Sequence, residues 1–399
     1  MNNSYLAINC NFEFNNNSNP NEFYSSSYNN SSSNNNNFDY NEVMKTADTT
    51  SHKNIKLNIP EIEDKEIKER NVNYIGRLIC FKSENQYVIA YINNKIDDNN
   101  NINDEYKINF EKDNEKFDLK DENYILNINY FTYKNDIYII YSLNNGQIKI
   151  YNFNKKTIEL KKQFYEVNKA KNIFLCTIVN EDSIHIFGCH QNKIKQFDTF
   201  KFEGDFYDDP IKNIAEIKSE VDEIYFIKSF LSKNNKNFII ISKKYNSNYI
   251  LSSIDFEFLN EKEKYKDYSN NEIDKCYNIE IIFYDNKEIL FACYQNLLIG
   301  FNFDNKEKIY EYSCGNHFYK VNAICNYNNE FIFVSGHEKS QKNKKEKISF
   351  IYLYNLEENQ LIEKYTPTGM KIYCMQISNN YLVTYNGYEE IKKFEIKNE

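Results

Sequence analysis

From about residue 75 the chain alternates short apolar runs with polar turns, and the runs come in groups of three. YILNINYF, IYIIYS and GQIKIYNF form one group. IFLCTIV, SIHIFG and KIKQFDTF form the next. YNIEIIF, EILFAC and LLIGFNF follow further on, then KVNAICNY, FIFVSG and ISFIYLYNL, then KIYCMQIS, YLVTYNG and EEIKKFEI. Short apolar runs bounded by Asn-, Asp- and Lys-rich turns predict strands rather than helices. A fourth, more polar strand is expected after each group, as in QLIEKYT at 360–366. The third run of each group ends in a large apolar residue followed by an acid or amide. The pairs are Phe110-Glu111, Tyr151-Asn152, Phe197-Asp198, Ile254-Asp255, Phe301-Asn302, Tyr354-Asn355 and Phe394-Glu395, at steps of 41, 46, 57, 47, 53 and 40 residues. A repeat of roughly this length built from short strands predicts propeller blades. The expected fold is all-β: a single seven-bladed propeller over 55–399, with a sandwich of two β domains as the architectural alternative.

The two ends of the chain break the pattern in different ways. Residues 1–54 include SYNNSSSNNNNF, which is polar and nearly uncharged. Such a segment has too little apolar surface to offset the entropy of ordering, so it reads as a disordered low-complexity tail. The last group stops at its third strand, because Glu399 lies only five residues beyond Phe394. An open sheet edge there needs a partner. Residues 55–60, Ile-Lys-Leu-Asn-Ile-Pro, alternate apolar and polar and are expected to pair with 390–396, closing the ring. The alternating run at 5–14 is the other candidate.

Composition sharpens this picture. Tyr (35) and Phe (30) suit pleated, half-buried strands. Gly (9) and Pro (4) are scarce, so Asn is expected to take the turn positions that need a left-handed backbone. The net charge of −9 and the presence of Arg only at 70 and 77 argue against a nucleic-acid grip. Nine cysteines with no framework favour a reducing compartment, most simply the cytoplasm, with the nucleus compatible. The first residues contain no cationic segment followed by a long apolar one, and no run is long enough for an integral membrane span.

The third strand, with its aromatic and its acid or amide, resembles the WD40 repeat. The resemblance covers about residues 75–399. It is best in the group where Tyr354-Asn355 stands at the Trp-Asp position, Phe333-Val334-Ser335-Gly336 at the second strand, and His317 four residues before Val321. The chain has no Trp, and Gly336-His337 falls after the second strand rather than before the first. The resemblance implies a set of hydrogen bonds among His, Ser or Thr, Asp and Trp within a blade. Here only His317 and Ser335 remain to supply part of it.

Candidate chemistry is sparse. Cys314 and His317 have a zinc-like spacing, and Cys189 precedes His190, but no second pair completes four ligands. Both read as structural, and no cofactor or metal is expected. No nucleophile motif or phosphate loop occurs. Two surface features stand out. Lys339, Lys342, Lys344, Lys345 and Lys347 crowd a connection between second and third strands, and clustered charge of this kind steers association. Asp205, Phe206, Tyr207, Asp208 and Asp209 lie in a long connection, where aromatics amid acids suit a partner contact. The expected function is a non-enzymatic scaffold that presents loops to partner proteins in a multiprotein complex. A phosphoinositide or membrane-surface binder is the alternative, although the paired-Arg motif of such propellers is missing. An enzyme with an unmarked site in the central channel is the remaining one.

Overall fold

The computed structural model describes residues 55–58, 77–95, 105–112, 115–163, 170, 173–179, 184–190, 193–197, 221–245, 248–258, 266–268, 275–294, 297–313, 318–339, 347–366, 372–386 and 391–398. These form 27 strands and one short 3₁₀ turn, grouped in seven antiparallel sheets. The strand β1 (Ile55–Asn58) precedes sheet one, which contains β2 (Leu78–Ser83), β3 (Gln86–Lys95), β4 (Glu105–Lys112) and β5 (Glu115–Asp121). Sheet two contains β6 (Ile125–Tyr133), β7 (Asp136–Leu143), β8 (Gln147–Asn152) and β9 (Thr157–Gln163). Sheet three contains β10 (Phe174–Val179), β11 (Ile184–His190) and β12 (Lys193–Phe197). Sheet four contains β13 (Val221–Leu231), β14 (Asn237–Tyr245), β15 (Asn248–Asp255) and β16 (Lys266–Asp267). Sheet five contains β17 (Asn278–Tyr284), β18 (Lys287–Cys293), β19 (Leu297–Asn302) and β20 (Lys308–Ser313). Sheet six contains β21 (Phe318–Tyr327), β22 (Phe331–Lys339), β23 (Lys347–Asn355) and β24 (Gln360–Tyr365). Sheet seven contains β25 (Cys374–Ser378), β26 (Tyr381–Tyr385) and β27 (Ile391–Asn398), and β1 is its fourth strand.

The first strands β2, β6, β10, β13, β17, β21 and β25 all contribute residues to one central cavity. The sheets therefore radiate from a common channel, as propeller blades do. Neighbouring sheets share apolar clusters, so the core is a set of inter-sheet layers. The expectation of seven four-stranded blades is corrected: the described residues contain six four-stranded sheets, and sheet three has three strands. Its β12 has no described outer partner because the next residues, 198–220, lie outside the described set.

The ring is joined between β1 and β27, with Ile55 opposite Asn398 and Leu57 opposite Ile396. This register is a few residues further along β27 than the sequence suggested. Ile55 and Leu57 are buried while Lys56 and Asn58 are exposed, the alternation expected of an outer strand with one covered face. Leu57 N–H also donates to the Tyr365 hydroxyl of sheet six at 3.0 Å. Residues 1–54, with the 5–14 run, lie outside the described residues.

The turns explain how so few glycines suffice. Two-residue links with both residues at positive φ join β2 to β3 (Glu84, Asn85), β6 to β7 (Lys134, Asn135) and β17 to β18 (Asp285, Asn286). That geometry matches the right-handed twist of the strands it connects. Of the thirteen non-glycine residues with positive φ, eight are Asn, whereas Gly146 is the single described glycine there.

Candidate interaction face and central channel

In an antiparallel meander, the first-to-second and third-to-fourth links lie at one end of the sheet and all other links at the opposite end. Contacts between sheets put equivalent ends together. Lys233, between β13 and β14, donates through Nζ to the carbonyl of Asn286, between β17 and β18. At the other end, Asn94 near the end of β3 hydrogen-bonds both the N–H and the carbonyl of Ile125 at the start of β6. The propeller thus has two unlike faces. On the first, every link has five or fewer residues except 256–265. On the second are six links of seven or more residues: 59–77, 96–104, 164–173, 268–277, 340–346 and 366–373; the link 198–220 leaves the third strand β12 at the first face and enters β13 at the second.

Of the two surface features singled out in the sequence, the lysine-rich connection 340–346 is a link of the second face, while Asp205 to Asp209 belong to the link 198–220, which runs from one face to the other. Lys339 and Lys347 are opposite each other at the end of the β22–β23 ladder, so the backbone leaves and re-enters the sheet there. Lys342, Lys344 and Lys345 lie outside the described residues, as do Asp205, Phe206, Tyr207, Asp208 and Asp209. The described structure therefore brings only the two flanking lysines together.

The channel cavity measures about 100 Å³. Its polar lining includes Asn127, Asn129, Lys228, Asn278, Glu280 and Gln376. Lys228 Nζ donates to the Glu280 carboxylate at 2.9 Å and to the Ile279 carbonyl at 3.1 Å, joining β13 to β17. Burial raises the Glu280 carboxyl above its ordinary value, and Lys228 opposes that shift. The pair is a stitch between sheets four and five. Sequence reading missed it because the partners are 52 residues apart and no motif links them. The alternation of Asn127 and Asn129 within ILNINYF was the available signal that a first strand has polar neighbours.

Serine hydroxyls on the second strands stitch neighbouring sheets together. Four residues after the strand-two partner of the repeated acid or amide stand Ser142, Ser242 and Ser335. Ser142 Oγ donates to the Ile173 carbonyl at 2.9 Å, and Ser242 Oγ to the Cys276 carbonyl at 3.2 Å, each tying its sheet to the next. Ser335 Oγ is buried with no hydrogen-bond partner among the described residues; His317 and Cys314, and with them the expected link from His317 to Ser335, lie outside the described residues.

Among the described residues no group of three or more His, Cys, Asp and Glu can hold a metal ion. Cys189 is fully buried, and burial pushes its thiol well above the ordinary value. Burial likewise pushes the Cys80 thiol up to about 12, against the lowering effects of Lys393 and Ser378. His185 is half-buried with its ring 4.6 Å from that of Phe256, while Ile184 and Ile186 face the core. Arg77, the arginine within the described residues, is buried beside Tyr124 rather than presented to an anionic surface. No described helix is long and apolar enough to cross a membrane.

No family model matches the chain, and no curated protein matches its sequence. Solved structures do: 1070 chains match, so the likeness selects an architecture rather than an activity. One is a chain from the crystal structure of a mitotic checkpoint complex, at 12% identity and a TM-score of 0.54, covering 88% of this chain and 97% of that one. With the radiating sheets and the closing strand, this makes the fold a WD40-like β-propeller.

Proposed function

We propose that the protein is a non-enzymatic scaffold that binds partner proteins through its loop-rich face. The observation that carries this reading is the asymmetry between the faces. Apart from 256–265 and the link 198–220, which crosses from one face to the other, short turns close one side and the six links of seven or more residues emerge on the other. A rigid frame that concentrates variable links on one surface suits recognition, because the frame fixes their relative positions. Lys339, Lys342, Lys344, Lys345 and Lys347 supply a cationic contact for an acidic partner, and Asp205 to Asp209 supply an aromatic and acidic one. An intracellular setting accords with the seven described cysteines, all buried and none in a disulfide.

The test is affinity purification with quantitative mass spectrometry on three proteins: the parent, a variant with 340–346 replaced by Gly-Asn, and a variant with Phe206 and Tyr207 both changed to Ser. At least one co-purifying protein is expected to drop out with each variant while thermal stability is retained. An identical set of partners for all three would overturn the assignment of this face.

A further inference from the structure

The turn face is not featureless. Between sheets five and six it opens into a pocket of about 270 Å³, lined by Tyr284, Ile289, Ile309, Tyr310 and Leu356, with Asp285, Lys287, Glu357 and Asn359 at its edge. That volume lies just below the range of drug-sized ligand sites and matches one long side chain better than a cofactor.

Three observations describe what suits it. First, the walls are aromatic and fixed. Tyr310 lies over Gly300, where an added Cβ would come within 2.8 Å of the Phe291 ring and 3.0 Å of Tyr310 itself. Its hydroxyl reaches the Leu356 carbonyl at 3.5 Å, so the ring bridges the two sheets. Second, the rim is acidic. Asp285 and Glu357 edge the pocket, and burial raises the Tyr284 hydroxyl, with the charges of Glu357, Asp285 and Glu330 raising it further. Among the described lining residues the one cation, Lys287, pairs with Asp285 at 3.8 Å. Third, the rim is turn-held: the Glu357 N–H donates to Asn355 Oδ1 at 2.8 Å, which fixes the backbone that carries the carboxylate. The protein already uses cation-on-aromatic contacts on its outer strands, since Lys364 Nζ sits 3.7 Å from the Phe350 ring centroid.

We propose that this pocket receives the side chain of an arginine from an extended segment of a partner protein. The aliphatic stem would lie along Ile289, Ile309 and Leu356. The planar guanidinium would stack on Tyr284 or Tyr310 and meet the rim carboxylates, a geometry that a lysine ammonium satisfies less well. The site is on the face opposite the long links and is independent of the scaffold reading given above.

The test is fluorescence anisotropy with labelled short peptide pools, random except for one central residue fixed as Arg, norleucine or Glu. The Arg pool is expected to bind about tenfold tighter than the other two, the scale set by a cation–π contact plus partly solvated charge pairs. Glu357→Lys and Asp285→Lys, both at exposed turn positions, are each expected to abolish that preference. Glu115→Lys, an exposed carboxylate on β5 remote from the pocket, is expected to leave it intact. Equal binding of the three pools would overturn the proposal. So would an equal loss with Glu115→Lys, which would reduce the effect to the general acidity of the chain.

Discussion

Asn152, Asn302 and Asn355 stand at equivalent points of three sheets and do the same work. Each side-chain oxygen accepts two backbone N–H groups from the turn that follows: Asn154 and Lys155, Asp304 and Asn305, Glu357 and Glu358. The fourth residue after each has positive φ: Lys156, Lys306 and Asn359. The residue directly after each, Phe153, Phe303 or Leu356, is buried and donates its N–H to the chain beyond strand one: Ile137, Glu288 or Glu330. The sequence repeat of aromatic plus acid or amide is thus a strand end and a turn cap in one. Its spacing was legible, but its job was not, since the cap acts on backbone groups that no side-chain pattern names. Asn355→Ala should cost about 1 kcal/mol, as a lost side-chain cap does, and Asn355→Asp should be close to neutral in urea titration. The serine series gives a sharper contrast. Ser142→Ala should destabilise by about 1 kcal/mol through its lost inter-sheet bond, whereas Ser335→Ala should be neutral or stabilising, because its hydroxyl is buried without a partner. Equal losses at both sites would mean that Ser335 has a bond in solution.

At the scale of elements, the strands of five sheets were readable because their apolar runs end in turn chemistry, whereas sheets one and four were marked only by Phe110-Glu111 and Ile254-Asp255. What joins the sheets was not readable, because those contacts pair residues distant in sequence. The seam between sheets seven and one shows this. Lys393 Nζ on β27 meets Glu111 on β4 at 2.8 Å, and Lys116 Nζ meets the same carboxylate at 3.1 Å. Burial alone would raise the Glu111 carboxyl, but the hydrogen bonds and charges of Lys393 and Lys116 outweigh it and hold it below its ordinary value. A carboxyl with a lowered folded-state value binds protons less readily than in the unfolded chain. Its contribution is therefore present above the ordinary carboxylate value and is lost as pH falls through the lowered one. Glu111→Gln should flatten the acid limb of a stability profile below about pH 4.5, the ordinary value for this group, while changing the slope little at neutral pH. An unaltered acid limb would show that this pair does not couple the seam to pH.

For the whole molecule, the decisive contact is between its two ends. The alternation at 55–60 and its pairing with the last strand were legible in the sequence; the residues that cover β1 were not. Ile55 and Leu57 join a cluster with Ile351, Leu353 and Tyr365 of sheet six as well as Phe394 and Ile396 of sheet seven. Losing β1 therefore exposes the edge of β27 and strips the layer between two sheets at once. A ring has no free end from which to fray, so opening it should weaken every sheet that leans on its neighbour. A protein lacking 1–54 should melt within about 2 °C of the full chain, since a shift that small means well under 1 kcal/mol for a domain of this size. Removing 1–60 should lower the midpoint by ten degrees or more, and Leu57→Asp in the full chain should reproduce much of that loss, because it buries an unpaired carboxylate of the kind that costs about 3 kcal/mol or more. Hydrogen exchange distinguishes the outcomes directly: protection at Leu57 N–H, bonded to Tyr365, should match that of the β26–β27 ladder. If 55–58 exchanged as fast as an unstructured chain while the rest of sheet seven stayed protected, the ring would have to be closed by other residues, and the two truncations would melt alike.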